Sequence, residues 1–263
     1  MFASERVKII KGILIEKKHA TVNKLSEMLG VSEVTIRRDF EKLEEEGFLV
    51  RTHGGAYIND ETQYEEEEDS QEDDPYYEDR VEISKIAVQM IEDEDSIILT
   101  SGKTNLCIAK RLVNKKRNLT VLTNDINIAS ELSANANIKI TMPGGELNPV
   151  SMTLSGKLTE EDIKKFFVAK AFIEVEGASI EHGFTVKSVD KASIIREILS
   201  ICKEKIFVCH YRIFDNIAFY QVGSLKLADK VITNINVKDN YKNYFFDQNL
   251  KLFTSIKGEG DIL

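Results

Sequence analysis

The sequence LSEMLGVSEVTIRRDFEKLE spans Leu25 to Glu44 and predicts two helices joined by a tight turn. Gly30 is expected to stop the first helix, and Ser32 is positioned to cap the second. The apolar residues on either side of the turn recur every three or four positions, which gives each helix one buried face. These residues are Val22, Leu25 and Leu29 before the turn and Ile36, Phe40 and Leu43 after it.

Another helix precedes this pair, and a hairpin follows it. Ile10, Ile13 and Leu14 form the apolar stripe of a helix that begins near Ser4, and Thr21 is the expected N-cap of the next helix. Residues 1–58 are therefore predicted to form a winged helix-turn-helix. Gly47 is expected to end the last helix, and Phe48–Thr52 to form a strand. Gly54–Gly55 then forms a tight turn, and Ala56–Ile58 returns as a second strand.

The second helix of the pair has polar and basic side chains away from its apolar stripe. In a helix-turn-helix, side chains near the start of this helix contact base edges, and arginine binds phosphate or presents two donors to guanine. A small three-helix bundle with solvated arginines would show the same spacing. The candidate DNA contacts are Ser32, Val34, Thr35, Arg37 and Arg38 on the helix, with Arg51 and His53 near the tip of the wing.

The net charge of −9 comes from one short segment. Residues 58–79 contain twelve acidic and no basic residues, while the regions on either side are close to neutral. Like charges repel, and this segment has little apolar surface to bury. Residues 59–79 are therefore predicted to be a disordered linker before a second domain over residues 80–263. A protein whose acidic linker imitates DNA or recruits a basic partner is one hypothesis for function.

The composition excludes several classes of protein. The 263 residues suffice for two domains, no apolar run approaches the ~18 residues of a membrane span, and charges stand where a signal peptide needs apolar residues. We therefore expect a cytoplasmic protein with no membrane partner. Cys107, Cys202 and Cys209 lack the C-x-x-C spacing of a zinc site, so we expect no disulfide framework, no metal and no cofactor.

The second domain alternates short apolar strands with helices. Continuous apolar strands of this kind are typical of a buried, largely parallel sheet in an α/β domain. The segment from Asn148 to Phe167 is not assigned to an element. The predicted strands are Ser96–Thr100, Leu119–Leu122, Ile138–Met142, Ala171–Ile173, Lys205–Cys209 and Lys230–Ile232, and the predicted helices are Leu106–Leu112, Asn127–Leu132 and Lys191–Cys202.

The loop after the first of these strands has the composition of an anion site. Its glycine allows close backbone approach, the N–H groups at a helix start attract phosphate, and its lysine adds positive charge. Loops at the carboxyl ends of parallel strands form the usual ligand crevice of such sheets. Plain turn chemistry is the alternative explanation. The candidate effector contacts in this loop are Ser101, Gly102, Lys103 and Thr104.

The first domain resembles a known family. Residues Leu25 to Ala56 closely resemble the DNA-binding signature of the DeoR family of bacterial transcriptional regulators, which includes the pattern VS..TIRRDL..LE..G.L.R.HGGA. Phe40 stands where the family usually has leucine. The resemblance implies a sequence-specific regulator whose partner is a double-stranded DNA operator.

The second domain resembles the sensor domain of the same family, which has the fold of sugar-phosphate isomerases and deaminases. This implies a phosphorylated sugar as effector and a homo-oligomer. Lys85–Ala87, Leu99–Thr104 and His182–Thr185 match its opening helix, its first strand and loop, and a later glycine loop. Further matches imply effector contacts at Thr123 and Asn124, at Gly144 and Gly145, and at Arg212. The alternative for Thr123 and Asn124 is a strand end with an N-cap, and the alternative for the two glycines is a plain turn.

Four positions depart from the family. Thr100 and Lys191 stand where acidic residues are common, and Glu174 stands where a glycine is expected after a strand. Arg212 stands where the family has lysine, and arginine keeps the charge but changes the donor geometry. These changes allow an effector other than the usual sugar phosphate, or a pocket that has lost its ligand.

The interpretation that follows is a repressor of a carbohydrate-metabolism operon, relieved or modulated by its effector. The alternative is a sugar-phosphate isomerase or deaminase with an accessory DNA-binding module. Such an enzyme needs a positioned general base, and the loss of acidic residues at Thr100 and Lys191 leaves no candidate. Cys209 and His210 are strand neighbours that face opposite sides, so we expect a buried cysteine and an ordinary surface histidine.

Overall fold

The chain divides into two compact units, Met1–Asp73 and Asp74–Leu263, and each encloses apolar core residues of its own. Gly47, His53 and residues 59–73 of the predicted linker lie outside the described residues. The computed structural model describes residues 3–17, 19–45, 48–52, 54–58, 74–115 and 118–254.

The first unit is a winged helix-turn-helix, as predicted. Its elements are α1 (Ala3–Lys17), β1 (His19–Thr21), α2 (Val22–Leu29), α3 (Glu33–Glu45), β2 (Leu49–Thr52) and β3 (Gly55–Ile58). The three strands pair antiparallel in the order β1–β3–β2, with Ala20 opposite Ala56. Strand β1 was missed in the sequence, because three residues are too few to show an alternating pattern.

The predicted apolar stripes form the core of this unit. Gly30 ends α2 in the left-handed conformation at φ 64°, and its N–H donates to the carbonyl of Ser26. Ser32 caps α3, since its hydroxyl accepts the N–H of Thr35 at 3.3 Å. Thr21 occupies the cap position of α2 without a side-chain hydrogen bond. The fully buried stripe residues include Ile10, Leu14, Leu25, Ile36, Phe40 and Leu43.

A buried ion pair ties α1 to α3. Arg6 and Asp39 are both buried, and two N···O contacts of 2.5 and 3.0 Å join the guanidinium to the carboxylate. The hydrogen bond to Asp39 raises the pKa of Arg6 above its usual value. Both residues fall at the spacing of the apolar stripes, Arg6 four positions before Ile10 and Asp39 three positions after Ile36. A search for apolar residues alone passes over this pair because both side chains are charged.

The second unit begins earlier than the sequence predicted. Helix α4 (Tyr77–Gln89) starts inside the segment that was assigned to the linker. The acidic residues here have partners, because Asp74 pairs with Arg80 at 2.9 Å and Asp79 contacts His210 at 3.0 Å. A run of negative charge predicted a linker, whereas these two contacts attach its last residues to the second unit.

The second unit is an α/β domain, as predicted. After α4 its helices are α5 (Lys103–Val113), α6 (Ile126–Leu132), α7 (Lys157–Ile163), α8 (Val189–Ile201) and α9 (Asp239–Asp247). Its strands are β4 (Ser96–Leu99), β5 (Leu119–Leu122), β6 (Ile138–Thr141), β7 (Glu146–Asn148), β8 (Thr153–Ser155), β9 (Val168–Glu174), β10 (Gly177–Ser179), β11 (Gly183–Val186), β12 (Cys202–Val208), β13 (Tyr220–Gly223), β14 (Lys230–Thr233) and β15 (Lys251–Thr254).

Within the described residues, seven strands form a parallel sheet in the order β15–β14–β12–β9–β4–β5–β6. Successive side chains of a strand point to opposite faces of the sheet, so each face has its own core. Ile97 and Leu99 pack with residues of α4, α5 and α6. Ile98 packs with residues of α7, α8 and α9. Since the strands are parallel, the loops that follow them share one edge, called here the carboxyl edge. The unassigned segment 148–167 contains β8 and α7.

Arg6→Ala and Asp39→Ala are each expected to destabilise the first unit by about 3–5 kcal/mol, because the remaining partner becomes an unpaired buried charge. Thermal and urea unfolding of the full chain, followed by circular dichroism, measures the effect. Lys8→Ala removes an exposed cation from the same helix and serves as the control. Wild-type stability in both single variants would contradict the assignment of this pair.

Candidate DNA-binding and effector sites

The first two turns of α3 present most of the predicted DNA contacts to solvent. Val34 is 61% exposed, and Arg37 and Arg38 are exposed beside it. Arg37 lies 3.5 Å from Glu33, a surface ion pair of the kind that contributes little to stability. Arg38 has no ion-pair partner among the described residues. Both guanidinium groups can therefore be offered to phosphate or guanine at little cost.

The other predicted DNA contacts are more constrained. The hydroxyl oxygens of Ser32 and Thr35 lie 2.9 Å apart, and Thr35 is half-buried where the sequence predicted exposure. Arg51 on the wing lies 2.9 Å from Glu41 and 3.3 Å from Glu44 of α3. To contact DNA, this guanidinium has to exchange two carboxylates for phosphate. The remaining candidate on the wing, at position 53, is outside the described residues.

The loop after β4 and the first residues of α5 contain four of the predicted effector contacts. Gly102 is the N-cap residue of α5, and Lys103 is its first residue. Thr104 is buried, and its N–H and hydroxyl both donate to the carboxylate of Glu174 at 3.2 and 2.9 Å. The start of α5 does bind an oxyanion here, but that oxyanion belongs to the chain itself.

The next loop, after β5, ends in a helix cap. The Asp125 carboxylate accepts the N–H groups of Asn127 and Ile128 in the first turn of α6, at 2.9 and 3.1 Å. Burial raises the pKa of Asp125 to about 6, although these hydrogen bonds favour its charged form. Thr123 accepts the N–H of Asp125 at 3.1 Å, and Asn124 donates to the carbonyl of Leu154 at 3.0 Å. Thr123 and Asn124 thus have structural partners, as the N-cap alternative expected.

The remaining effector candidates lie in separate loops of the carboxyl edge. The N–H of Gly144 donates to Asp162 at 2.8 Å, and its carbonyl accepts the hydroxyl of Thr159. Gly145 follows with φ 143°, in the left-handed region that favours glycine. The guanidinium of Arg212 is exposed and lies over the ring of Tyr76, 4.8 Å from its centre. Gly144 therefore contacts α7, and Arg212 contacts Tyr76, the residue before α4.

His210 is the main residue that the sequence misjudged. It is buried, with its Nε2 atom 3.0 Å from Asp79 and its ring 4.9 Å from that of Tyr76, so the expectation of a surface histidine was wrong. Burial lowers the pKa of His210, against the raising effect of Asp79. Cys209 beside it is fully buried, as predicted, and burial raises the pKa of its thiol. The error arose because Asp79 and Tyr76 were assigned to the linker.

A groove of about 680 Å³ lies at the opposite edge of the sheet, at the amino ends of the strands. The groove is lined by both lysines and acidic residues, whose charges largely cancel. The Lys170 ammonium, for example, forms an ion pair with the Asp95 carboxylate at 2.5 Å. None of the predicted effector contacts lines the groove. The amino ends of strands also lack the helix starts that attract anions, so the carboxyl edge remains the better candidate.

No group of three His, Cys, Asp or Glu side chains among the described residues is arranged to hold a metal ion. No helix in that part of the chain is long and apolar enough to cross a membrane.

The two units match descriptions of known domains. The DeoR-like helix-turn-helix domain matches residues 6–62, and the DeoR C terminal sensor domain matches residues 76–235. The fold and these matches define a DNA-binding transcription regulator with a sensor domain, and not a sugar-phosphate isomerase. Its partners are accordingly a DNA operator and a small-molecule effector. The chain belongs to the DeoR family.

Full-length relatives support the same assignment. The chain is 32% identical to the HTH-type transcriptional repressor GlcR of Bacillus subtilis (strain 168), over 89% of each protein. It is 30% identical to the putative aga operon transcriptional repressor of Escherichia coli O157:H7, over 88% of this chain and 86% of that one.

Solved structures are more distant. Ribose 5-phosphate isomerase A from Methanocaldococcus jannaschii aligns with 55% of each chain at 12% identity and a TM-score of 0.39. The delta subunit of eIF2B from Chaetomium thermophilum covers 61% of this chain and 57% of its own at 14% identity and a TM-score of 0.45. Neither similarity assigns a ligand or a reaction to this chain.

Arg37→Ala and Arg38→Ala are expected to weaken operator binding without unfolding the protein, since neither side chain belongs to the core. Loss of a base contact costs ~1–3 kcal/mol, and loss of a phosphate contact lowers the salt slope by about one. Fluorescence anisotropy with a labelled operator at several salt concentrations measures both. Lys42→Ala removes the same charge near the other end of α3 as a control. Unchanged affinity and salt dependence in both arginine variants would exclude the start of α3 from DNA contact.

Proposed function

We propose that this chain represses a carbohydrate-metabolism operon and that a phosphorylated sugar, bound at the carboxyl edge of the sensor sheet, relieves the repression. The names of the two relatives above, a repressor called GlcR and a putative aga operon repressor, support this assignment. The observation that supports it most directly is the exposed pair Arg37 and Arg38 in the second turn of α3, in a chain that also contains a sensor domain.

The proposed DNA contacts fall into two groups. Residues at the start of α3 read base edges, and the exposed methyl groups of Val34 suit the apolar contact that thymine offers. Residues of the wing bind the sugar-phosphate backbone, which sets the position of α3 in the groove. The first group comprises Ser32, Val34, Thr35, Arg37 and Arg38, and the second comprises Arg51 and His53.

The proposed effector site uses the loops of the carboxyl edge. Two buried polar atoms at this edge, Oδ1 of Asn105 and Oγ1 of Thr233, have no hydrogen-bond partner among the described residues. Such atoms cost about 1–3 kcal/mol when left unsatisfied, and both side chains are fully buried beneath the loops of this edge. The proposed contacts are Ser101, Gly102, Lys103, Thr104, Thr123, Asn124, Gly144, Gly145 and Arg212.

Selection from a random duplex DNA library with the full chain, followed by an effector panel, tests the proposal. We expect enrichment of a repeated half-site. One phosphorylated sugar should then raise the operator Kd by about tenfold or more, within the usual range of allosteric coupling, while the unphosphorylated sugar should not. No enriched sequence would contradict the repressor function. An enriched operator that no sugar phosphate releases would contradict the effector class only.

We also propose that the chain forms a homo-oligomer through its second unit. Two half-sites are read by symmetric dimers, and large exposed apolar side chains mark candidate interfaces. Ile217 and Phe219 are such residues, 60% and 86% exposed and two positions apart. The double change Ile217→Asp and Phe219→Asp is expected to shift light scattering at micromolar concentration from oligomer to monomer. Phe246→Asp, at another exposed aromatic, is the control, and a monomeric wild type would contradict the proposal.

A further inference from the structure

The first turn of α5 already holds a carboxylate. Glu174 at the end of β9 is buried, and its Oε1 atom accepts the N–H of Thr104 at 3.2 Å. Its Oε2 atom accepts the N–H of Asn105 at 3.0 Å. These N–H groups belong to the first turn of a helix, where they have no partner within the helix. Glu174 therefore satisfies the backbone donors that a helix start otherwise offers to a phosphate.

Two side-chain donors complete the set around this carboxylate. The hydroxyl of Thr104 donates to Glu174 at 2.9 Å, and the guanidinium of Arg80 lies 3.3 Å from the same oxygen. Arg80 also donates to the Thr104 hydroxyl at 3.1 Å. Two backbone N–H groups, a hydroxyl and a guanidinium are the donors expected of a phosphate site.

The backbone of the loop fits closely around the carboxylate. Gly102 precedes α5 with φ 150°, and a Cβ atom built at this position would overlap the Glu174 carboxylate. The absence of a side chain at Gly102 thus lets the carboxylate reach the helix start. A phosphate placed on the same N–H groups would occupy the same volume and meet the same negative charge.

We infer that Glu174 is the specificity-determining residue of the sensor site, because its carboxylate occupies the position at the start of α5 that a phosphate group would take. This inference rests on the proposed function and concerns the same site. A phosphorylated effector has to displace a tethered competitor, whose effective concentration at the donors is high. Glu174 therefore weakens phosphate binding and sets a higher effector concentration for any response.

Inorganic phosphate is the probe, because it needs no knowledge of the sugar. The full chain, Glu174→Gln and Glu174→Gly are titrated with phosphate against chloride at matched ionic strength, and binding is measured by calorimetry and by the shift in Tm. We expect a phosphate Kd at least about tenfold lower in Glu174→Gly than in the wild type, with Glu174→Gln between them. Glu176→Gln, whose carboxylate binds Lys191 instead, should bind phosphate like the wild type.

Three results would overturn the inference. The first is equal phosphate affinity in the wild type and in both Glu174 variants. The second is an equal gain in Glu176→Gln, which would reflect general charge. The third is loss of cooperative unfolding in both Glu174 variants, which would assign the carboxylate to the fold instead of ligand choice.

The effector panel separates this inference from the proposed function. Tighter phosphate binding in Glu174→Gly, with no sugar phosphate active on the operator complex, would support the inference and contradict the effector class. A sugar phosphate that releases the operator from the wild type and from Glu174→Gly at the same concentration would support the function and overturn the inference.

Discussion

The contact between the Glu174 carboxylate and the first turn of α5 is the interaction on which the carboxyl edge of the sensor sheet depends. A buried carboxylate needs donors, because an unpaired buried charge is strongly destabilising. A helix start needs acceptors, because its first N–H groups have none within the helix. The same hydrogen bonds meet both needs and join the end of β9 to the loop after β4. The chain thereby fills the position where its sheet would otherwise attract an anion.

Arg80 extends this contact to the beginning of the second unit. Its guanidinium lies between Glu174 and Asp74, and nearby Asp79 and Tyr76 pack against the buried His210. The last residues of the acidic segment are thus attached to the edge that we propose as the effector site. A ligand that competes with Glu174 also competes for Arg80. Coupling between two sites requires contacts of this kind, whose partners differ between ligand states.

In the DNA-binding unit, adjacent charges on α3 have opposite roles. Arg38 points to solvent, while its neighbour Asp39 is buried against Arg6. Helical geometry separates neighbours by about 100°, so one faces the core and the other faces outward. The buried pair fixes α1 to α3, and the wing contributes a second contact from Arg51 to the carboxylates of the same helix. The charged contacts that hold α3 in place are therefore separate from the exposed side chains that we propose to contact DNA.

The sequence by itself determined the winged helix-turn-helix, the α/β class and the family, because apolar periodicity, glycine stops and a long specific motif are local properties of the chain. It also pointed to the start of α5 as an anion site. Only the tertiary structure decided what occupies that site, because Glu174 is distant in sequence from Thr104 and approaches it through the pairing of β9 with β4. The same holds for Asp79 and His210. Sequence patterns report which face of an element is buried, whereas the partner of a buried charge is chosen by strand order and packing.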